Sequence, residues 1–85
     1  MKYTVTITRP ARKQLDLLQP DVHSRILRRL ESLADNPRPP GVEKLGGQDD
    51  QYRVRVGDWR IIYTVRDRQL IVLVLKIGNR REVYR

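Results

Sequence analysis

Cysteine is absent from the 85 residues, histidine and tryptophan occur once each, and acidic side chains number 10 against 18 Lys plus Arg. Each scarcity removes a class of chemistry. Without cysteine there is no disulfide framework and no thiolate metal site, and nothing implies an oxidising compartment. With His23 alone, a zinc site would have to be built from carboxylates, an unusual donor set for that ion. His23 itself falls off the apolar stripe of its helix and reads as a solvated surface residue. Paired-carboxylate hydrolysis finds no better support, because Asp49-Asp50 sits in a polar loop and Glu82 is surrounded by arginines that keep it ionised. Gly46-Gly47 lacks the spacing and the following lysine of a phosphate-cradling loop. No metal and no cofactor is therefore implied. The longest apolar run, Leu70 to Leu75, is far short of the ~20 residues that span a bilayer. Met1 to Thr8 alternates polar and apolar residues, unlike a secretory leader. A cytoplasmic protein with no membrane association is the expectation.

What is present is arginine, unevenly placed. Residues 1–50 hold 9 basic and 7 acidic side chains, residues 51–85 hold 9 and 3, so most of the formal charge of +8 belongs to the second part. A basic chain associates with polyanions in general; charge focused on one element is the more specific sign of nucleic-acid binding.

Periodicity supplies the elements. Tyr3, Val5 and Ile7 alternate with threonines, as in a half-buried strand. Thr8 can cap a short helix with Pro10 in its first turn and Ala11, Leu15 and Leu18 as its stripe. Pro20 opens a second helix in which Val22, Ile26, Leu30 and Leu33 line one face, while Arg25, Arg28, Arg29 and Glu31 lie outside it. Asn36-Pro37 ends that helix. Residues 37–50 carry no period and read as a connecting loop, ordered at Glu43-Lys44-Leu45-Gly46 by the isolated apolar Leu45. Three strands follow, about Tyr52 to Val56, Trp59 to Val65 and Leu70 to Ile77, with tight turns at Gly57-Asp58 and Asp67-Arg68. Trp59 and Tyr63 fall on the helix-facing side and read as core. The β-α-α-β-β-β order predicts one α+β domain over residues 1–85, with an αα-hairpin packed on one face of a mostly antiparallel sheet.

Gly57-Asp58 as a two-residue hairpin loop puts Arg55 opposite Arg60, and Arg53 two residues along on the same face. Like charges directly across a ladder destabilise it, so three converging guanidinium groups point to an anionic ligand. A surface ion pair of Arg60 with Asp58 or Glu82 is the structural alternative. Ile62, Leu73 and Leu75 are expected near the arginines without cover from this chain, which marks a partner surface, with self-association as the alternative.

At this point the residues carry a resemblance. Tyr52-Arg53-Val54-Arg55-Val56-Gly57-Asp58-Trp59-Arg60-Ile61-Ile62-Tyr63, the apolar third strand and Ile77-Gly78-Asn79-Arg80-Arg81-Glu82-Val83-Tyr84 together resemble the toxin of a RelE/ParE-type toxin–antitoxin pair, on the RelE side. The likeness spans essentially the whole chain and is strongest from Lys44 onward. It implies a RelE-like fold and a metal-independent endoribonuclease that cuts messenger RNA on the ribosome. It also implies a cognate antitoxin as the partner that silences the toxin and through which it oligomerises. In such enzymes the ribose 2′-hydroxyl attacks the adjacent phosphate. The resemblance assigns Arg60 and Arg80 to transition-state stabilisation and leaving-group assistance, and Tyr84 to stacking on the reacting base. Arg53, Arg55, Lys44 and Arg81 become RNA contacts. Arg53 and Arg55 stand where the RelE type carries lysines, and arginine stays protonated in proteins, so the group that removes the hydroxyl proton is left unassigned. Asn79 stands where related toxins often carry histidine. Gyrase inhibition, as in the ParE branch, and a non-catalytic nucleic-acid-binding or repressor-partner module are the other functions compatible with this pattern.

Overall fold

The structure is a computed structural model and describes residues 2–46 and 50–79. Strand β1 (Thr4–Ile7) leads into α1 (Arg9–Asp16) and α2 (Pro20–Asp35). Strands β2 (Glu43–Leu45), β3 (Gln51–Val56), β4 (Trp59–Arg66) and β5 (Ile71–Asn79) follow, with a 3₁₀ turn at Asp67–Gln69 before the last. The sheet order is β1-β5-β4-β3-β2. Among the described strands only β1 and β5 run parallel; the other three pairings are antiparallel. The expected α+β architecture is therefore present, with the third expected strand inside the sheet, between β1 and β4.

Two segments differ from the sequence reading. Glu43–Leu45, expected as an ordered piece of loop, is an edge strand paired with residues 51–53; three residues are too few to show a period, so the pairing with β3 alone defines it. The second hairpin does not close on Asp67-Arg68. A full 3₁₀ turn intervenes, and Leu70 takes a left-handed conformation at φ 55°. The pairing of β4 with β5 also shifts register between Ile62 and Tyr63. This bulge lets Ile77 and Val74 lie on the same core-facing side although they are three residues apart, a spacing that simple alternation forbids.

The helices cover one face. Thr8 caps α1, its hydroxyl accepting from the Ala11 N–H at 3.4 Å, and Ala11 and Leu15 are fully buried. From α2 come Ile26, Leu30 and Leu33; from the sheet, Tyr52, Val54, Ile61, Tyr63, Val72, Val74 and Ile77. Gln14 of α1 accepts the Ile77 N–H at 2.8 Å. That bond serves a part of β5 that β1, paired only with residues 71–74, leaves uncovered.

A polar network locks the rim of this core. Arg38, just past α2, makes a two-pronged contact to Asp67 at 3.1 and 2.8 Å and donates Nε–H to the Tyr52 hydroxyl at 3.0 Å. Its guanidinium lies 5.3 Å from the Tyr52 ring centre, and Tyr52 stacks on Tyr63 at 5.7 Å. Tyr63 donates to the Pro37 carbonyl at 2.6 Å, and Tyr3 donates to Asp67 at 2.7 Å. Burial pushes the Tyr63 phenol up to about 12, which keeps it a donor. The Arg38 hydrogen bond, with that from Tyr3, holds the Asp67 carboxyl well down, at about 2. A depressed carboxyl adds stability above its unfolded value of 3.8 and loses it as pH falls toward 2. The urea midpoint should accordingly drop through that interval, and Asp67→Asn should flatten the drop; an equally steep acid limb in the variant would refute the assignment.

Candidate nucleic-acid interface

The face that neither described helix covers is crossed by three rows. Arg55 pairs with Arg60, and Arg60 with Gly78, as the hairpin loop predicts. The next row is Glu43, Arg53, Ile62 and Lys76. Beyond it, Thr64 pairs with Leu73. Gly57 closes the hairpin at φ 60°, a conformation that side chains disfavour.

The three strand arginines share this face but not one fate. Arg53 forms an ion pair with Glu43 across the β2–β3 ladder. Arg60 is buried at 3% exposure and turns its guanidinium onto its own hairpin, donating to the Gly57 and Trp59 carbonyls at 3.3 and 3.2 Å. Its Nε–H makes no hydrogen bond, and no described carboxylate forms an ion pair with it. The surface pairing with Asp58 is thus not formed, and Glu82, the other partner expected for it, lies outside the described residues. A buried guanidinium whose hydrogen bonds among the described residues go only to neutral carbonyl oxygens is a charge that an anion can complete. Arg55 is exposed and lies where β3, no longer paired with β2, becomes the sheet edge.

Lys44 opposes Tyr52 and so belongs to the core-facing row rather than to the arginine face; its ammonium lies 3.7 Å from Asp50. Arg80, Arg81 and Tyr84 lie outside the described residues. Trp59 and Tyr63 pack with the core as expected. Sequence reasoning missed Lys76. The register places it opposite Ile62, in the row that contains Arg53, and the signal was a single lysine in an otherwise apolar strand. Among the described residues no group of three or more His, Cys, Asp or Glu could hold a metal ion. No described helix is long and apolar enough to cross a membrane.

A basic sheet face that neither described helix covers, on a β-α-α-β-β-β-β order, defines a RelE-like fold, and solved structures bear this out. The RelE component of the RelE-RelB complex from Pyrococcus horikoshii superposes with a TM-score of 0.83 at 35% identity, covering 94% of this chain and 97% of that one. Free Escherichia coli toxin RelE bearing two arginine-to-alanine substitutions superposes at 0.82 with 27% identity, covering 99% and 92%. A Methanocaldococcus jannaschii protein assigned by name to the RelE toxins is 33% identical over 88 residues, 100% of this chain and 98% of that protein. The sequence model of the family described as the ParE toxin of type II toxin-antitoxin system, parDE, matches residues 5–84. The chain belongs to the RelE/ParE family of type II toxins.

Proposed function

We propose that this toxin is a metal-independent endoribonuclease that cuts messenger RNA on the ribosome and is silenced by a cognate antitoxin. The observation that carries the reading is Arg55 set directly against Arg60 on a face that also holds Arg53 and Lys76. The antitoxin assignment draws on the RelE-RelB complexes among the structural relatives.

The chemistry is a transfer within the RNA. The 2′-oxygen forms a bond to the adjacent phosphorus and the bond to the 5′-oxygen breaks, leaving a 2′,3′-cyclic phosphate and a 5′-hydroxyl. Negative charge grows on the phosphate in transit. Arg60, held by its two carbonyl contacts, stabilises that charge, and such a preorganised donor contributes on the order of 10²- to 10³-fold. Arg55 and Arg53 hold flanking phosphate oxygens, with Glu43 keeping Arg53 in place. Arg80 assists the leaving oxygen, Tyr84 stacks on the base, and Lys44 and Arg81 contact RNA farther out. Lys76, in the row of Arg53 and Ile62, adds a further cation to the face that meets the phosphates; the hydroxyl proton goes to a base other than these guanidinium groups.

Gyrase inhibition is favoured by a different observation: Arg53 is tied to Glu43 and Arg60 is buried, leaving Arg55 as the exposed member of the three. Primer extension on cellular messages after induction separates the readings. New ends within codons are expected. DNA-damage signalling without new ends would overturn the ribonuclease in favour of the gyrase reading.

A further inference from the structure

A second cluster of arginines lies off the strand face. Arg25, Arg28, Arg29 and Ser32 of α2 meet Arg55 and Val56 of β3 around a shallow recess of about 590 Å³. Among the described residues no carboxylate lines it, and none of the four arginines forms an ion pair. Two features show that the cluster is built rather than splayed in solvent. The Arg25 guanidinium rests against the hairpin turn so closely that a Cβ at Gly57 would lie 2.9 Å from its Nη2. The Arg29 Nε is buried and lacks a hydrogen-bond partner. Four like charges held together without a counter-charge repel one another and gain most from a ligand with several separated negative charges. The recess is also continuous with the strand face, because Arg55 both lines it and stands opposite Arg60.

We propose that this recess is a second phosphodiester-binding site, which grips the RNA backbone to one side of the nucleotides on the strand face. Arg25 and Arg28, both exposed on α2, contact phosphate oxygens, while the less exposed Arg29 supplies donors deeper in the recess. An acidic peptide would meet the same charges, but a chain of regularly spaced phosphates running from Arg55 onward follows the continuity of the two arginine groups. The inference rests on the RNA-directed reading of the strand face.

The test uses the full chain and a short 2′-O-methyl oligoribonucleotide, which lacks the attacking hydroxyl and cannot be cut by the proposed reaction. Binding is measured by fluorescence anisotropy across a salt series. In Arg25→Gln/Arg28→Gln the slope of log K against log salt should become shallower by about 1.4, about 0.7 for each single-strand phosphate that the protein no longer neutralises. Arg28→Glu, a single change at an exposed position, should flatten it by at least about 0.7, which guards against misfolding of the double variant. Unchanged slopes in folded variants would overturn the proposal. So would an equal loss of affinity for a polyglutamate peptide of matched charge, which would make the recess a peptide dock. Failure of cleavage with the slopes behaving as expected would defeat the nuclease reading and leave this site standing.

Discussion

Arg60→Ala should lower messenger cleavage on purified ribosomes by on the order of 10²- to 10³-fold and abolish growth arrest on expression. The reason is the setting of the side chain. Arg60 is 3% exposed, is anchored to the Gly57 and Trp59 carbonyls, and has Arg55 as its cross-strand neighbour. Alanine removes a desolvated charge that solvent cannot replace. Folding should survive, because no described carboxylate is ion-paired with Arg60 and would be left without its counter-charge. Arg60→Lys keeps the charge but not the planar fork, so it should retain part of the activity. Undiminished cleavage by a folded Arg60→Ala protein would remove the central step of the proposed mechanism.

The second large effect is on stability. Ile26 has no exposed surface and stands in the α2 stripe that meets Tyr63, Val54 and Ile61 in the core. Ile26→Ala should destabilise the fold by about 2–5 kcal/mol, the transfer loss plus the residual cavity. In a chain of 85 residues whose total stability is of the order of 5–15 kcal/mol, that is a large share. Each kcal/mol lowers the melting temperature of a domain this size by roughly 4–8 °C, so calorimetry should read a drop of about 8 °C or more. A smaller shift would mean that α2 is not keyed to the sheet through this residue. Because Ile26 and Arg25 are adjacent on α2, the same variant should weaken the arginine recess, whereas the Arg25 and Arg28 substitutions should leave melting nearly unchanged.

The pairing of Arg55 with Arg60 was legible because a two-residue loop at Gly57-Asp58 determines the register of both strands it joins. The helices were legible from their stripes and from Thr8, Pro20 and Asn36-Pro37 at their ends. Their sheet partners were legible from alternation. Lys76 was not, since the β4–β5 bulge decides which residues of β5 face the arginines and leaves no mark in the composition of β5. Nor was the role of Glu43, whose strand exists through pairing with β3. Arg25, Arg28 and Arg29 read only as the polar side of a helix.

Local chemistry, carried by neighbours a few residues apart, thus settled the helices, the strands other than β2, the first hairpin and the arginine-rich character of one sheet face from the chain alone. Only the tertiary structure decided which guanidinium is neutralised, which is buried, and which joins the helix arginines at the edge of β3. Those outcomes depend on meetings between segments far apart in the chain, such as Glu43 with Arg53 and Arg25 with Gly57. A one-residue shift in strand pairing changes the side a residue faces, and no periodic pattern in the sequence records that shift.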